Sequence, residues 1–199
     1  EKSLILFLIL FVLSFIFLSF GILNFLDLKI SQAIPNLWAP FFNSFFIFIS
    51  QYLFDTKVLC FVSVVIFLFL FRKNKVDSLF FISTVGITAV LSESLKFVFK
   101  NSRPLVSLIV ENSNSFPSSH SSISLVFFLS IFLCFNKKVK NKNLFLILSF
   151  VLIGLIGFSR IYLNVHYLSD VLAGYFLGGI VLISSLLFKK FLINYFKIR

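Results

Sequence analysis

The chain has 199 residues, of which 59% are hydrophobic, and a mean hydropathy of +1.07. These values lie outside the range of soluble globular domains and point to an integral membrane protein. Its formal charge of +11 sits in short Lys/Arg clusters between apolar runs, which is how membrane topology is written and speaks against a nucleic-acid partner.

A hydrocarbon core about 30 Å thick asks for about 20 apolar residues of helix. The first such run, Ser3 to Phe25, is too long for a signal peptide and is expected to be retained as a span. Asp27 to Pro40 carries Asp27, Lys29, two prolines and Trp38, and is expected to be a loop at headgroup level with the indole at the interface. Phe41 to Phe54 is short for a span and holds Asn43, Ser44, Ser50 and Gln51. It is expected to be an interfacial or re-entrant helix against the outer surface, a seventh crossing being the alternative.

The second span runs from Thr56 to Phe71 and stops at the basic turn Arg72-Lys73-Asn74-Lys75, and the third runs from Val76 to Phe99. The fourth (Ser121 to Phe135) and fifth (Leu144 to Phe158) flank a basic loop at 136–143. The sixth, Leu168 to Phe188, ends in Lys189-Lys190, and the mixed apolar and basic tail beyond is expected to lie along the inner surface. The expected fold is an all-α six-span bundle with one short interfacial helix after the first span, forming a single domain over residues 1–199.

Lys2, the two basic turns and the tail lie on one side of this arrangement, and Lys29, Lys57, Lys96, Lys100, Arg103 and Arg160 lie on the other. The excess predicts cytoplasmic termini in a prokaryotic plasma membrane. Three polar pieces then share the extracytoplasmic side: Lys96 with Arg103-Pro104, Pro117-Ser118-Ser119-His120, and Ser159-Arg160 with His166 and Asp170. Both of the chain's histidines fall within them.

Lys96 and Arg103, seven apart, share a helical face with Lys100 near the same stripe, and Pro104 ends the helix at about Ser102. Cations gathered at a membrane boundary are costly unless an anion lies among them, although snorkelling alone would also place them there. Ser118 or Ser119 can cap the fourth helix, whose free N–H groups and positive dipole end form an anion cradle. His166 and Asp170, four apart, place a carboxylate where it can accept a bond from one ring nitrogen and free the other as a nucleophile. Arg160 needs a turn before His166 to reach the same pocket, and Tyr162, Asn164 and Tyr167 in that turn are expected to anchor the interface. Two histidines and an aspartate could hold a metal, but Lys96, Arg103 and Arg160 repel a divalent cation and attract phosphate oxygens. Neither metal nor cofactor is expected.

The order Lys96-x6-Arg103-Pro104, Pro117-Ser118-Ser119-His120 and Ser159-Arg160-x5-His166-x3-Asp170 resembles the tripartite signature of the type 2 phosphatidic acid phosphatase superfamily, which includes the vanadium haloperoxidases. The match covers residues 96–170, and the flanking apolar runs resemble its membrane-embedded lipid phosphatases. One position departs: Ser119 stands where the family usually has glycine, which matters only if the backbone there needs φ > 0. The resemblance implies metal-independent hydrolysis of a phosphomonoester or diphosphate. In it His166 attacks phosphorus, Asp170 orients His166, and His120 protonates the leaving oxygen. Lys96, Arg103, Arg160, Ser118 and the backbone at Ser119 would hold the phosphate oxygens. Short loops favour a lipid substrate at the outer leaflet. Among these a polyprenyl diphosphate such as undecaprenyl diphosphate is preferred, with phosphatidylglycerol phosphate, phosphatidic acid and lipid A phosphates as alternatives. Lipid-to-lipid phosphotransfer and lipid binding or transport without turnover are the competing functions.

Overall fold

The structure, a computed structural model, describes residues 2–136 and 139–196 and contains no strand among them. Lys137, Lys138, Lys197 and Arg199 of the charge count lie outside the described residues. Eight α-helices follow in order: α1 (Lys2–Ser19), α2 (Asn24–Ala33), α3 (Pro40–Ile47), α4 (Thr56–Phe71), α5 (Lys75–Phe99), α6 (Ser119–Phe135), α7 (Lys142–Tyr162) and α8 (Leu168–Phe196). A 3-10 turn, Ile34–Leu37, precedes α3 and a π-helical segment, Phe48–Leu53, extends it.

Polar side chains mark four of the starts. Asp55, Asn74, Ser118 and Asn141 each accept a backbone N–H from the first turn of α4, α5, α6 and α7, which stabilises a helix by about 1 kcal/mol per cap. Among the described residues, three helices are long and apolar enough to cross a membrane: Lys75–Phe99, Lys142–Tyr162 and Leu168–Tyr195. Two bent pairs qualify when joined: Leu4–Ser19 with Asn24–Leu37 at 71°, and Pro40–Leu53 with Thr56–Phe71 at 44°. They bring the candidates to five, and α6 is a shorter apolar helix.

Several boundaries differ from expectation. The stretch from Asp27 to Pro40 is helical through most of its length, because Asp27 is buried and bonded to α8 instead of facing water. The bend ahead of it is made by Gly21 at φ 70°, where a Cβ would meet the Asn24 side chain at 2.8 Å. Helix α5 stops at Phe99, earlier than Pro104 required. Lys100 adopts the left-handed conformation at φ 53° and returns its N–H to the Lys96 carbonyl. The tail after Lys190 continues α8 to Phe196, since no breaker interrupts it.

Helix α8 packs against α1, α5 and α6. Its approach to α6 is set by glycines: a Cβ at Gly174 would lie 2.5 Å from the Ser118 carbonyl oxygen, and one at Gly178 2.8 Å from that of Ser122. On α5, Thr84, Thr88 and Ser92 form a buried small-residue stripe, each returning its hydroxyl to the carbonyl four residues back, and the same stripe carries Lys96. Large apolar residues such as Phe61, Leu68, Val90, Ile147 and Val151 are exposed on the outer helix faces, as a lipid solvent requires.

Candidate active site

The three polar pieces meet at one end of the bundle. Helix α5 brings Lys96 there, α6 begins there with Ser119 and His120 behind the cap Ser118, and α7 carries Arg160 there in its last turn. The turn 163–167 supplies His166, and α8 supplies Asp170 in its first turn. Lys96, Ser118, Ser119, His120, Arg160, His166 and Asp170 are all buried, and Arg103 is half-buried.

The turn from α7 to α8 is held by backbone bonds from Val165 N and His166 N to the Arg160 carbonyl, at 3.2 and 3.4 Å. Asn164 takes the left-handed conformation at φ 53° and donates through Nδ2 to the Ser31 and Val106 carbonyls. Tyr162 is likewise buried; its hydroxyl donates to Asn43 Oδ1 at 2.8 Å, while its carbonyl accepts from Trp38 Nε1 at 3.0 Å. Tyr162 and Asn164 are thus interior fastenings rather than interface anchors, and half-buried Trp38 is tied to the same turn through its indole N–H.

The ring of His166 lies between two partners. Arg103 contacts Nε2 at 3.1 Å, and Asp170 Oδ2 lies 3.4 Å from Nδ1. A guanidinium only donates, so Nε2 accepts and the ring proton resides on Nδ1, facing the carboxylate. That tautomer leaves the Nε2 lone pair facing the cations. Burial, and after it the charges of Arg160, Arg103 and Lys96 and then His120, hold the His166 imidazole well below its ordinary value of 6.5, so it is neutral at pH 7. Asp170 is fixed by the Tyr167 N–H at 2.9 Å, and its own carbonyl accepts from Ser118 N at 3.0 Å. This last bond joins α6 to α8 and spends one N–H of the expected anion cradle.

Arg103 is clamped. Its Nε donates to the Ser113 carbonyl at 2.7 Å and one terminal nitrogen donates to the Val165 carbonyl at 2.6 Å. The other reaches Ser113 Oγ at 3.0 Å and the Asn114 carbonyl at 3.3 Å. Arg160 donates to Ser50 Oγ and, at 2.5 Å, to Glu111 Oε1. Lys96 Nζ donates to Glu93 Oε1 at 3.0 Å. Lys100, expected near the same stripe, is exposed and lies over the Phe97 ring.

His120 and Arg160 line a cavity of about 310 Å³ with Ser50, Gln51, Asp55 and Glu111. His120 Nε2 and Arg160 Nε are buried without a hydrogen-bond partner. Unpaired buried polar atoms are expensive, and these two lie beside one polar cavity. Ser119 has no positive φ, so replacing glycine there strains nothing.

Glu93, Asp27, Glu111 and Ser50 are among the polar side chains that the motif left out. Glu93, three residues before Lys96 and so on its helical face, was legible as a partner, whereas Asp27 was read into a loop at headgroup level and its bond to α8 was not. Glu111 and Ser50 carried no such signal.

The PAP2 superfamily profile matches residues 10–193. The chain belongs to the PAP2 superfamily. Among PAP2 proteins of known structure, it is similar to the transmembrane PAP2-type phosphatidylglycerolphosphate phosphatase of Bacillus subtilis. The two are 28% identical with a TM-score of 0.84, over 92% of this chain and 96% of that one. It is also similar to Aquifex aeolicus LpxE, 28% identical with a TM-score of 0.65, over 81% of this chain and 94% of the other. In sequence, it is 36% identical over 118 residues to phosphatidylglycerophosphatase B of Bacillus subtilis (strain 168), covering 56% of this chain and 57% of that PAP2 relative. The chain spans about half the length of the curated relatives it matches.

Proposed function

We propose that this PAP2 protein is a metal-independent lipid phosphatase working through a phosphohistidine. His166 Nε2 attacks phosphorus while the bond to the leaving oxygen breaks, and His120 gives that oxygen its proton. A water deprotonated by His120 then attacks the phosphohistidine, returning Nε2 and releasing inorganic phosphate. Asp170 keeps the His166 proton on Nδ1 and stabilises the charge that the ring acquires. Lys96, Arg103, Arg160, Ser118 and the Ser119 backbone hold the non-bridging oxygens. The observation that carries this reading is the unpartnered His120 Nε2 beside Arg160 at one polar cavity, with the Nε2 lone pair of His166 turned to the same cations and held by Arg103.

A lipid substrate is supported by the loop that supplies Arg103 and Glu111, where Leu105, Val106 and Val110 are exposed. Apolar side chains at the rim of a charged site suit a headgroup arriving from a bilayer. Phosphatidylglycerol phosphate ranks ahead of polyprenyl diphosphate, because the likeness to the Bacillus subtilis phosphatase extends over nearly the whole of both chains. Six crossings, with α6 as the short one, put both termini in the cytoplasm and the site at the outer leaflet of the plasma membrane. The clusters Arg72-Lys73-Lys75 and Lys189-Lys190 then mark the inner face.

The test is phosphate release by purified protein from phosphatidylglycerol phosphate, polyprenyl diphosphate, phosphatidic acid and lipid A, with His166→Ala as control. Release from at least one lipid, inhibited by vanadate, unaffected by EDTA and abolished in the variant, is expected. Undiminished release by His166→Ala removes the nucleophile. Loss on chelation, restored by a divalent ion, overturns the metal-independent mechanism.

A further inference from the structure

Glu93 and Glu111 are charged groups at the cradle that the signature leaves unexplained, and Glu93 is the one bonded to Lys96. It lies one helical turn before Lys96, and its Oε1 accepts from two donors, Lys96 Nζ at 3.0 Å and Ser119 Oγ at 2.7 Å. Ser119 is also the position where this chain departs from the family's glycine. The two peculiarities are therefore one contact: the extra hydroxyl seats the carboxylate against the lysine.

An ammonium carries three N–H donors, so Lys96 can hold a phosphate oxygen and Glu93 together. The two anions then repel each other across a shared cation. The Glu93 side chain is 61% exposed and that of Lys96 only 9%, so the carboxylate is the partner free to swing aside when phosphate enters and to return when it leaves. Glycine at position 119 would remove the donor that seats it.

We propose that Glu93, seated by Ser119, is a specificity-determining counter-anion. It neutralises Lys96 between turnovers, lowers the affinity of the cradle for phosphate anions and speeds release of inorganic phosphate. This inference rests on reading the site as one that handles phosphate.

Glu93→Gln keeps the accepting oxygen and removes the charge, Glu93→Ala removes both, and Ser119→Gly removes the seat. Inorganic phosphate is titrated into the full chain in micelles by calorimetry, and product inhibition, KM and kcat are measured on the lipid hydrolysed fastest. In Glu93→Gln, phosphate should bind and inhibit on the order of tenfold more tightly, with a lowered KM. Ser119→Gly should shift both in the same direction. Because the pair works as a unit, the double variant should go no further than Glu93→Gln alone.

Wild-type affinity for phosphate in Glu93→Gln, with activity lost only in Glu93→Ala, would make Glu93 a geometric prop and overturn the proposal, as would additive effects in the double variant. A wild-type chain that binds no phosphate would instead strike the reading of the site itself.

Discussion

At the scale of single residues, chemistry is divided between two imidazoles in different surroundings. His166 is held from both sides, by Arg103 at Nε2 and by Asp170 at Nδ1, whereas His120 Nε2 faces the cavity unpaired. This division predicts that His120→Ala slows release from an alkyl phosphate lipid by about 10²- to 10⁴-fold, the usual worth of a general acid. An aryl phosphate, whose leaving group needs no proton, should still give a burst of one equivalent of phenol per protein before turnover stalls. Equal loss of the burst and of lipid turnover, in rapid-quench measurements, would deny His120 that role. His166 was legible in the sequence because its spacing to Arg160 and Asp170 is local, whereas His120 was legible through the order of the three pieces and the family they resemble. Glu111 was not, since its partner Arg160 lies 49 residues away, and the loop that carries Glu111 is tied back through the Val106 carbonyl to Asn164, 58 residues apart.

Helices carry the next layer of the argument, and α2 is the instructive one. Asp27 accepts from Ser169 N at 2.9 Å and from Ser169 Oγ at 2.5 Å, closing the first turn of α8 one residue before Asp170. Asp27→Ala removes both bonds and strands the donors in the interior. It should cost about 1–2 kcal/mol, seen as a lowered unfolding midpoint in detergent, and kcat should fall as Asp170 loses its register. An unchanged midpoint would mean that water replaces the carboxylate. The end of α4, the start of α5 and the end of α6 were readable to within a residue or so, because the basic turns beside them are local signals. The helical character of 24–37 was not readable: its polar residues suggest a loop until the distant partner of Asp27 is known. The same holds for Phe48–Leu53, whose π-helical turn brings Ser50 to Arg160 and follows from a contact 110 residues away.

Across the whole molecule, one end of the bundle concentrates charge in an interior that is otherwise apolar. His166 is part of that interior, and burial beside Arg160, Arg103 and Lys96 lowers its pKa well below 6.5. The folded protein therefore declines a proton that the unfolded chain accepts as pH falls through 6.5. The stability this group contributes is fully present above 6.5 and is lost from there down toward the folded pKa. The slope approaches about 1.4 kcal/mol per pH unit for one proton. Unfolding midpoints in micelles should fall between pH 7.5 and 5.5, and fall less in His166→Gln; parallel decline in the two proteins would show that His166 is not the group responsible.

Because the carboxylate beneath α8 comes from residue 27 and the strap across the end of α7 comes from Trp38 and Asn43, the recognisable letters of the signature do not make a portable unit. A piece excised from residue 75 onward would retain every one of them, yet its two histidines would stand beside helices missing a brace at one end and a roof at the other. Grafting this chemistry into another bundle would mean transplanting the unlettered leading third as well.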